Sequence, residues 1–124
     1  MAKQDQGKKQ KRPGRGKAER YLQPSLLLAL REREAYGYEL IRTIGEFGFI
    51  QGDAPPGMVY RHLRQLEEEE LVTSSWDTQE SGPAKRVYHL APAGEEVLEA
   101  WVDYMRLQAE KLERFIERYK ELAS

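Results

Sequence analysis

The chain has no cysteine, which excludes a disulfide framework, a thiol nucleophile and any cysteine-based metal site. Its two histidines, His62 and His89, lie far apart and outside any ligand-like spacing such as HExxH, so a zinc site is not expected. No apolar run approaches the roughly 18 residues that a transmembrane helix needs. The N-terminus is basic but lacks the apolar stretch of a secretory signal. No nucleophile–base–orienter set and no phosphate-cradling loop stands out, so neither catalysis nor a cofactor is expected. The expectation is a soluble, cytoplasmic protein that is not an enzyme and has no membrane partner.

What is present is unevenly distributed. At 124 residues and 40% apolar, the chain suits one domain with a small core. The formal net charge of −1 conceals a division. Residues 1–20 hold eight Lys/Arg against Asp5 and Glu19, a balance of +6, whereas the rest holds 12 basic and 19 acidic groups, a balance of −7. Such asymmetry points to an arm that meets a polyanion. The plainer reading is a solubilising tail, and both stand at this point. With almost nothing apolar, residues 1–20 are expected to be disordered. KRPGRGK, with Arg12 and Arg15, resembles short Arg-Gly-Pro hooks that enter AT-rich minor grooves.

From Tyr21 the pattern changes. Leu22, Leu26, Leu27, Leu28 and Leu30 around Pro24-Ser25 predict a helix over about 24–33, apolar on most faces and so buried on more than one side. Leu40, Ile41, Ile44 and Phe47 predict a second helix over about 36–47, broken by Gly45, Gly48 and Gly52. A third helix begins near Pro55, with Val59, Leu63 and Leu66 on its buried stripe. On it, Met58, Arg61 and Gln65 point nearly opposite Leu63, and Arg64 flanks them. Four glutamates, Glu67–Glu70, close this helix, where acids are unfavourable with its dipole.

Two β-rich runs, 71–76 and 85–90, flank a polar Gly-Pro loop and predict a hairpin. Lys85, Val87 and His89 then face one way, and Arg86, Tyr88 and Leu90 the other. The last helix should run over about 93–122. Leu98, Met105, Leu112 and Tyr119 repeat every seven residues, and Trp101, Gln108, Phe115 and Leu122 do so with an offset of three. This is an a/d seam on a helix about 45 Å long. The rest of the chain cannot cover such a length, so the seam is expected to pair with a second copy.

The order of elements is that of a winged helix-turn-helix with a long C-terminal dimerisation helix: mainly α, with one small β-hairpin. The expected division is a basic arm over 1–20, a winged-helix DNA-binding domain over 21–92 and a dimerisation helix over 93–124. A helix fits the major groove of double-stranded DNA, and Arg and Gln can make bidentate contacts there. AYGYEL at 35–40, GMVYRHLRQLE at 57–67, the Leu71-Val72 and Ser75-Trp76 pairs, GPAKRVYHL at 82–90 and AG at 93–94 together resemble the PadR family of bacterial transcriptional regulators. The match spans about residues 22–104, and the single last helix resembles the family's short-chain branch. SSWDTQESGPAKRVYHL with GEFGFIQ is similar to the polyhydroxybutyrate-responsive repressors within it. LAPAG departs from the family's Leu-Thr at the start of the last helix, where Thr would cap.

The resemblance implies a homodimeric repressor on a palindromic operator, released by an effector, a small apolar or aromatic ligand or the polymer. Candidate DNA contacts are Met58, Tyr60, Arg61, Arg64, Gln65, Lys85, Arg86, Arg12 and Arg15. Tyr60 enters as the family's backbone-contacting aromatic, against a packing role on the second helix. Tyr38 and Gly37 read as core packing and close approach, Trp76 as packed beneath the hairpin and His62 as a surface histidine. Leu98, Trp101, Met105, Leu112, Phe115 and Tyr119 are the candidate dimer interface, and Trp101, Tyr104 and Met105 could also line an effector pocket between subunits. The rival class is a granule- or membrane-surface protein that lays the long helix on an apolar surface. Against it, the seam is narrow and the polar face is not rich in Lys/Arg.

Overall fold

The computed structural model describes residues 19–50, 52, 54–78 and 82–123. The expectation for the basic arm, with Arg12 and Arg15, therefore lies outside the described residues, except at Glu19 and Arg20, which are helical.

Among the described residues, four helices and three strands follow in the order α1 (Leu22–Glu32), β1 (Ala35–Tyr36), α2 (Gly37–Gly45), α3 (Pro56–Glu68), β2 (Val72–Asp77), β3 (Lys85–Leu90) and α4 (Pro92–Ala123). α1 begins before Pro24, because an N–H missing in the first turn costs no intrahelical bond. Its Leu22, Leu26 and Leu27 are fully buried, and it packs against α2, α3, β3 and α4. α1 is thus the central helix, as its apolar faces require. α2 stops at Gly45, short of Phe47, whose N–H reaches the Ile44 carbonyl in a turn.

The hairpin is part of a three-stranded antiparallel sheet ordered β1-β3-β2. β1 pairs Ala35 with Tyr88 and Tyr36 with Val87. Two residues are too short to display alternation, so the sequence carries no strand signal there. β2 and β3 register Trp76 with Arg86 and Asp77 with Lys85.

α3 ends in a left-handed residue that is not glycine. Glu70 has φ 64°, Leu71 N–H donates to Leu66 C=O at 2.9 Å and Glu70 N–H to Glu67 C=O at 3.0 Å. These two bonds form a Schellman closure, and the buried pair Leu66 and Leu71 supplies its hydrophobic contact. Leu71 then serves two further partners. Its carbonyl accepts the Ala91 N–H at 3.0 Å, and Gly94 lies so close that a Cβ there would sit 2.2 Å from the same oxygen. In place of a threonine cap, the start of α4 is anchored by this contact and by Arg31, whose Nε donates to Glu95 Oε2 at 2.9 Å and ties the first turn of α4 to α1.

Gly94→Ala must push α4 off a backbone atom that cannot rotate away. It is expected to destabilise the fold by about 1–3 kcal/mol despite the helix preference for alanine. Thermal unfolding measures this; a melting temperature equal to the parent's would show that α4 docks with slack.

Candidate nucleic-acid interface

The face in question is built by α3 and the wing, β2 and β3. Val59, Leu63 and Leu66 are fully buried against the core, and this fixes the rotation of α3. Tyr60, Arg61, Arg64 and Gln65 are consequently exposed. Met58 departs from expectation, being half-buried and packed against the core rather than fully on the basic stripe. Gly57 faces open space, so no internal contact demands a glycine there.

Tyr60 is held by α2. A Cβ on Gly37 would meet the Tyr60 ring at 2.5 Å, so Gly37 is the close-approach glycine and Tyr60 has the packing role as well as exposure. Tyr38, expected in the core, is instead 53% exposed and stacks on Tyr36 with centroids 5.7 Å apart. Its position in the first turn of α2 leaves it on the outer sheet face.

The two wing cations lie on opposite faces, as strand alternation requires. Lys85 Nζ sits over the rings of Tyr36 and Tyr38, at 5.5 and 5.7 Å. Arg86 turns toward α3. Its Nε donates to Ser74 Oγ at 3.1 Å, Ser74 donates to Glu67 Oε2 at 2.6 Å, and Arg86 comes within 3.9 Å of Glu67. Glu67 is thus a wing latch and not simply a solvent-facing acid. Trp76 is not beneath the hairpin: it is 62% exposed, with the Arg86 guanidinium 5.3 Å above its ring. It pairs with Arg86 across the strands and so shares that residue's face.

α3's polar residues differ in their partners. Gln65 donates to Glu69 at 3.3 Å. Arg64 makes no hydrogen bond or ion pair among the described residues. Arg61 reaches Glu19 Oε2 at 3.0 Å, and His62 Nε2 meets the same oxygen at 3.2 Å. His62 is therefore only partly at the surface, and its Nδ1 is buried without a partner. Sequence reasoning missed Glu19; its one signal was an acid closing a basic segment just before the apolar run begins.

On α4 the seam divides. Leu98 is buried in the chain's own core. Trp101, Tyr104, Met105 and Gln108 are half-buried. Leu112, Phe115, Tyr119 and Leu122 are 64–80% exposed. Trp101 and Tyr104 meet edge to face at 5.8 Å, and Tyr21 joins them, 6.0 Å from Trp101 and stacked on Phe49 at 4.7 Å.

A sequence model of the transcriptional regulator PadR-like family matches residues 26–100, more than half of the chain. The chain belongs to this family. It is a family of DNA-binding transcriptional regulators and not of enzymes. No curated protein matches the chain in sequence. Among solved structures, the conserved protein TM0937, described as a potential transcriptional factor, is similar at 32% identity, with 90% of this chain and 97% of that one covered and a TM-score of 0.75. A PadR family regulator from Clostridium difficile shares the fold at 24% identity, over 77% and 98% of the chains, with a TM-score of 0.68. Bacillus subtilis PadR in complex with operator DNA is similar at 26% identity and a TM-score of 0.58, over 65% of this chain but only 46% of that one. These comparisons reach the PadR-like family and give no support to the narrower polyhydroxybutyrate-responsive subgroup. No helix among the described residues is long and apolar enough to cross a membrane.

At the loop end of the wing, Tyr36 OH donates to the Asp77 carboxylate, and this bond, with burial second, pushes the Tyr36 hydroxyl up to about 12 from 10.0. The raised value favours the neutral phenol in the folded state. The contact therefore contributes fully below pH 10.0 and is lost as pH rises through about 12. An ultraviolet titration, followed alongside circular dichroism, is expected to show two of the seven tyrosines ionising late, Tyr36 and the buried Tyr88, and Asp77→Ala should move only Tyr36 down. An identical curve in the variant would remove Asp77 as the cause.

Proposed function

We propose that this PadR-like protein is a homodimeric repressor that reads a palindromic operator with α3 and steadies it with the wing. The observation that carries this reading is the division of α3: one face locks into the core, and the other offers Tyr60, Arg61, Arg64 and Gln65 to the major groove. The operator-bound Bacillus subtilis PadR supports it by similarity. Met58 would touch DNA only with its outer edge. Lys85 or Arg86 contacts phosphates from the wing, and Arg12 and Arg15 supply positive charge that the acidic body lacks. Two-fold symmetry sets the half-sites about one helical turn apart. The half-buried Trp101, Tyr104 and Met105 suit a flat apolar effector that releases the DNA.

Arg61→Ala with Arg64→Ala is expected to weaken binding to DNA upstream of the chain's own gene by about tenfold or more, since each bidentate base contact contributes about 1–3 kcal/mol. A gel shift measures it, and undiminished retardation would remove α3 from the interface.

The partner of α4 is a second copy of the chain. Leu112, Phe115, Tyr119 and Leu122 form an exposed apolar stripe that continues the seven-residue seam beyond the body. Sedimentation in dilute solution should give twice the chain mass, and Leu112→Glu with Phe115→Glu should halve it. A parent monomer that gains helix only with lipid would support the surface-binding alternative.

A further inference from the structure

We propose that Glu19 is an internal competitor for Arg61: its carboxylate holds, in the free protein, the guanidinium that DNA takes over. The inference rests on the assignment of Arg61 to the DNA-reading face. Glu19 Oε2 lies 3.0 Å from a terminal nitrogen of Arg61, on the exposed side of α3. The contact uses one carboxylate oxygen and one guanidinium nitrogen, with the side chains 58% and 40% exposed. Such a pair is weak and exchangeable, and it leaves Arg61 with donors to offer elsewhere. A phosphate brings the same chemistry as the carboxylate, an anionic oxygen, and cannot share the site without repulsion.

Glu19 is held there by its neighbours. The Arg20 guanidinium donates to Tyr104 OH at 2.6 Å and lies 5.8 and 5.6 Å from the ring centres of Tyr21 and Tyr104. Tyr21 stacks on Phe49 at 4.7 Å. These anchors fix the residue that follows Glu19 against α4 and the turn after α2, so the carboxylate is presented to α3. Its loss of Arg61 does not strand it, because His62 Nε2 lies 3.2 Å from the same oxygen. Arg61 can therefore pass from an internal anion to an external one while Glu19 keeps a partner.

The test is a double-mutant cycle on duplex DNA from upstream of the chain's own gene, read by fluorescence anisotropy at low salt to keep every variant measurable. Glu19→Gln keeps the size and removes the charge. It is expected to tighten binding about 1.5- to 5-fold in the parent, the range set by an exposed ion pair. In the Arg61→Ala background that gain should vanish. An equal gain in both backgrounds would mean simple removal of a negative charge and would overturn the proposal, as would no gain or a loss in the parent. If Arg61→Ala alone leaves affinity unchanged, the assignment of Arg61 to the interface fails, and the competitor role goes with it.

Discussion

The carbonyl of Leu71 is the constraint through which the parts of this molecule are set relative to one another. It lies where α3 ends, β2 begins, β3 ends and α4 starts. It accepts the Ala91 N–H, and only glycine at position 94 lets α4 come close enough. The side chain of the same residue closes the Schellman motif by joining Leu66 in the core. One residue thus fixes where α3 stops and where α4 begins. Together with α1, which packs on both helices, it relates the exposed face of α3 to the exposed stripe of α4. In a dimer built on α4, that relation would set the spacing between two reading helices.

The second organising feature is that most cations described on α3 and the wing already have a partner. Arg86 is latched through Ser74 and Glu67, Lys85 is cradled by two tyrosines, and Arg61 is held by Glu19. Exposed pairs of this kind contribute about 0–1 kcal/mol each, so they add little stability. Those of Arg86 and Lys85 position the wing cations, whereas Glu19 occupies Arg61. A side chain held in one geometry has less conformational entropy left to lose than one that sweeps freely. The acids at the end of α3 take part in this. Glu67 shapes the wing, Glu69 steadies Gln65, and Glu70 makes the left-handed turn into β2.

Much of this was legible in the sequence, and the reasons differ by element. The buried stripe of α3 survives because periodicity records which side of a helix is covered. The ends of β3 were set by turn chemistry on one side and Ala91-Pro92 on the other. β1 was hidden because two residues have no period. Trp76 and Tyr38 were misplaced because a large aromatic is usually buried, and nothing local distinguishes one held outside by a cation or a stacked ring. Glu19 and His62 are joined across 43 positions, a separation at which local pattern is silent. Leu98 belonged to the seam by spacing and to the core by packing; the sequence states the first and only the fold decides the second.

That division of the α4 seam carries a functional consequence. Leu98 is spent within the chain, and Trp101 and Tyr104 are half-covered by Tyr21 and Arg20, so the fully open part of the stripe begins at Leu112. A second copy would therefore meet a firm apolar seam at the far end and a softer aromatic patch nearer the body. The patch touches the segment that carries Glu19, and Glu19 touches Arg61. The contacts that join Trp101 and Tyr104 to α3 thus run through three consecutive residues, Glu19 to Tyr21, outside the buried core.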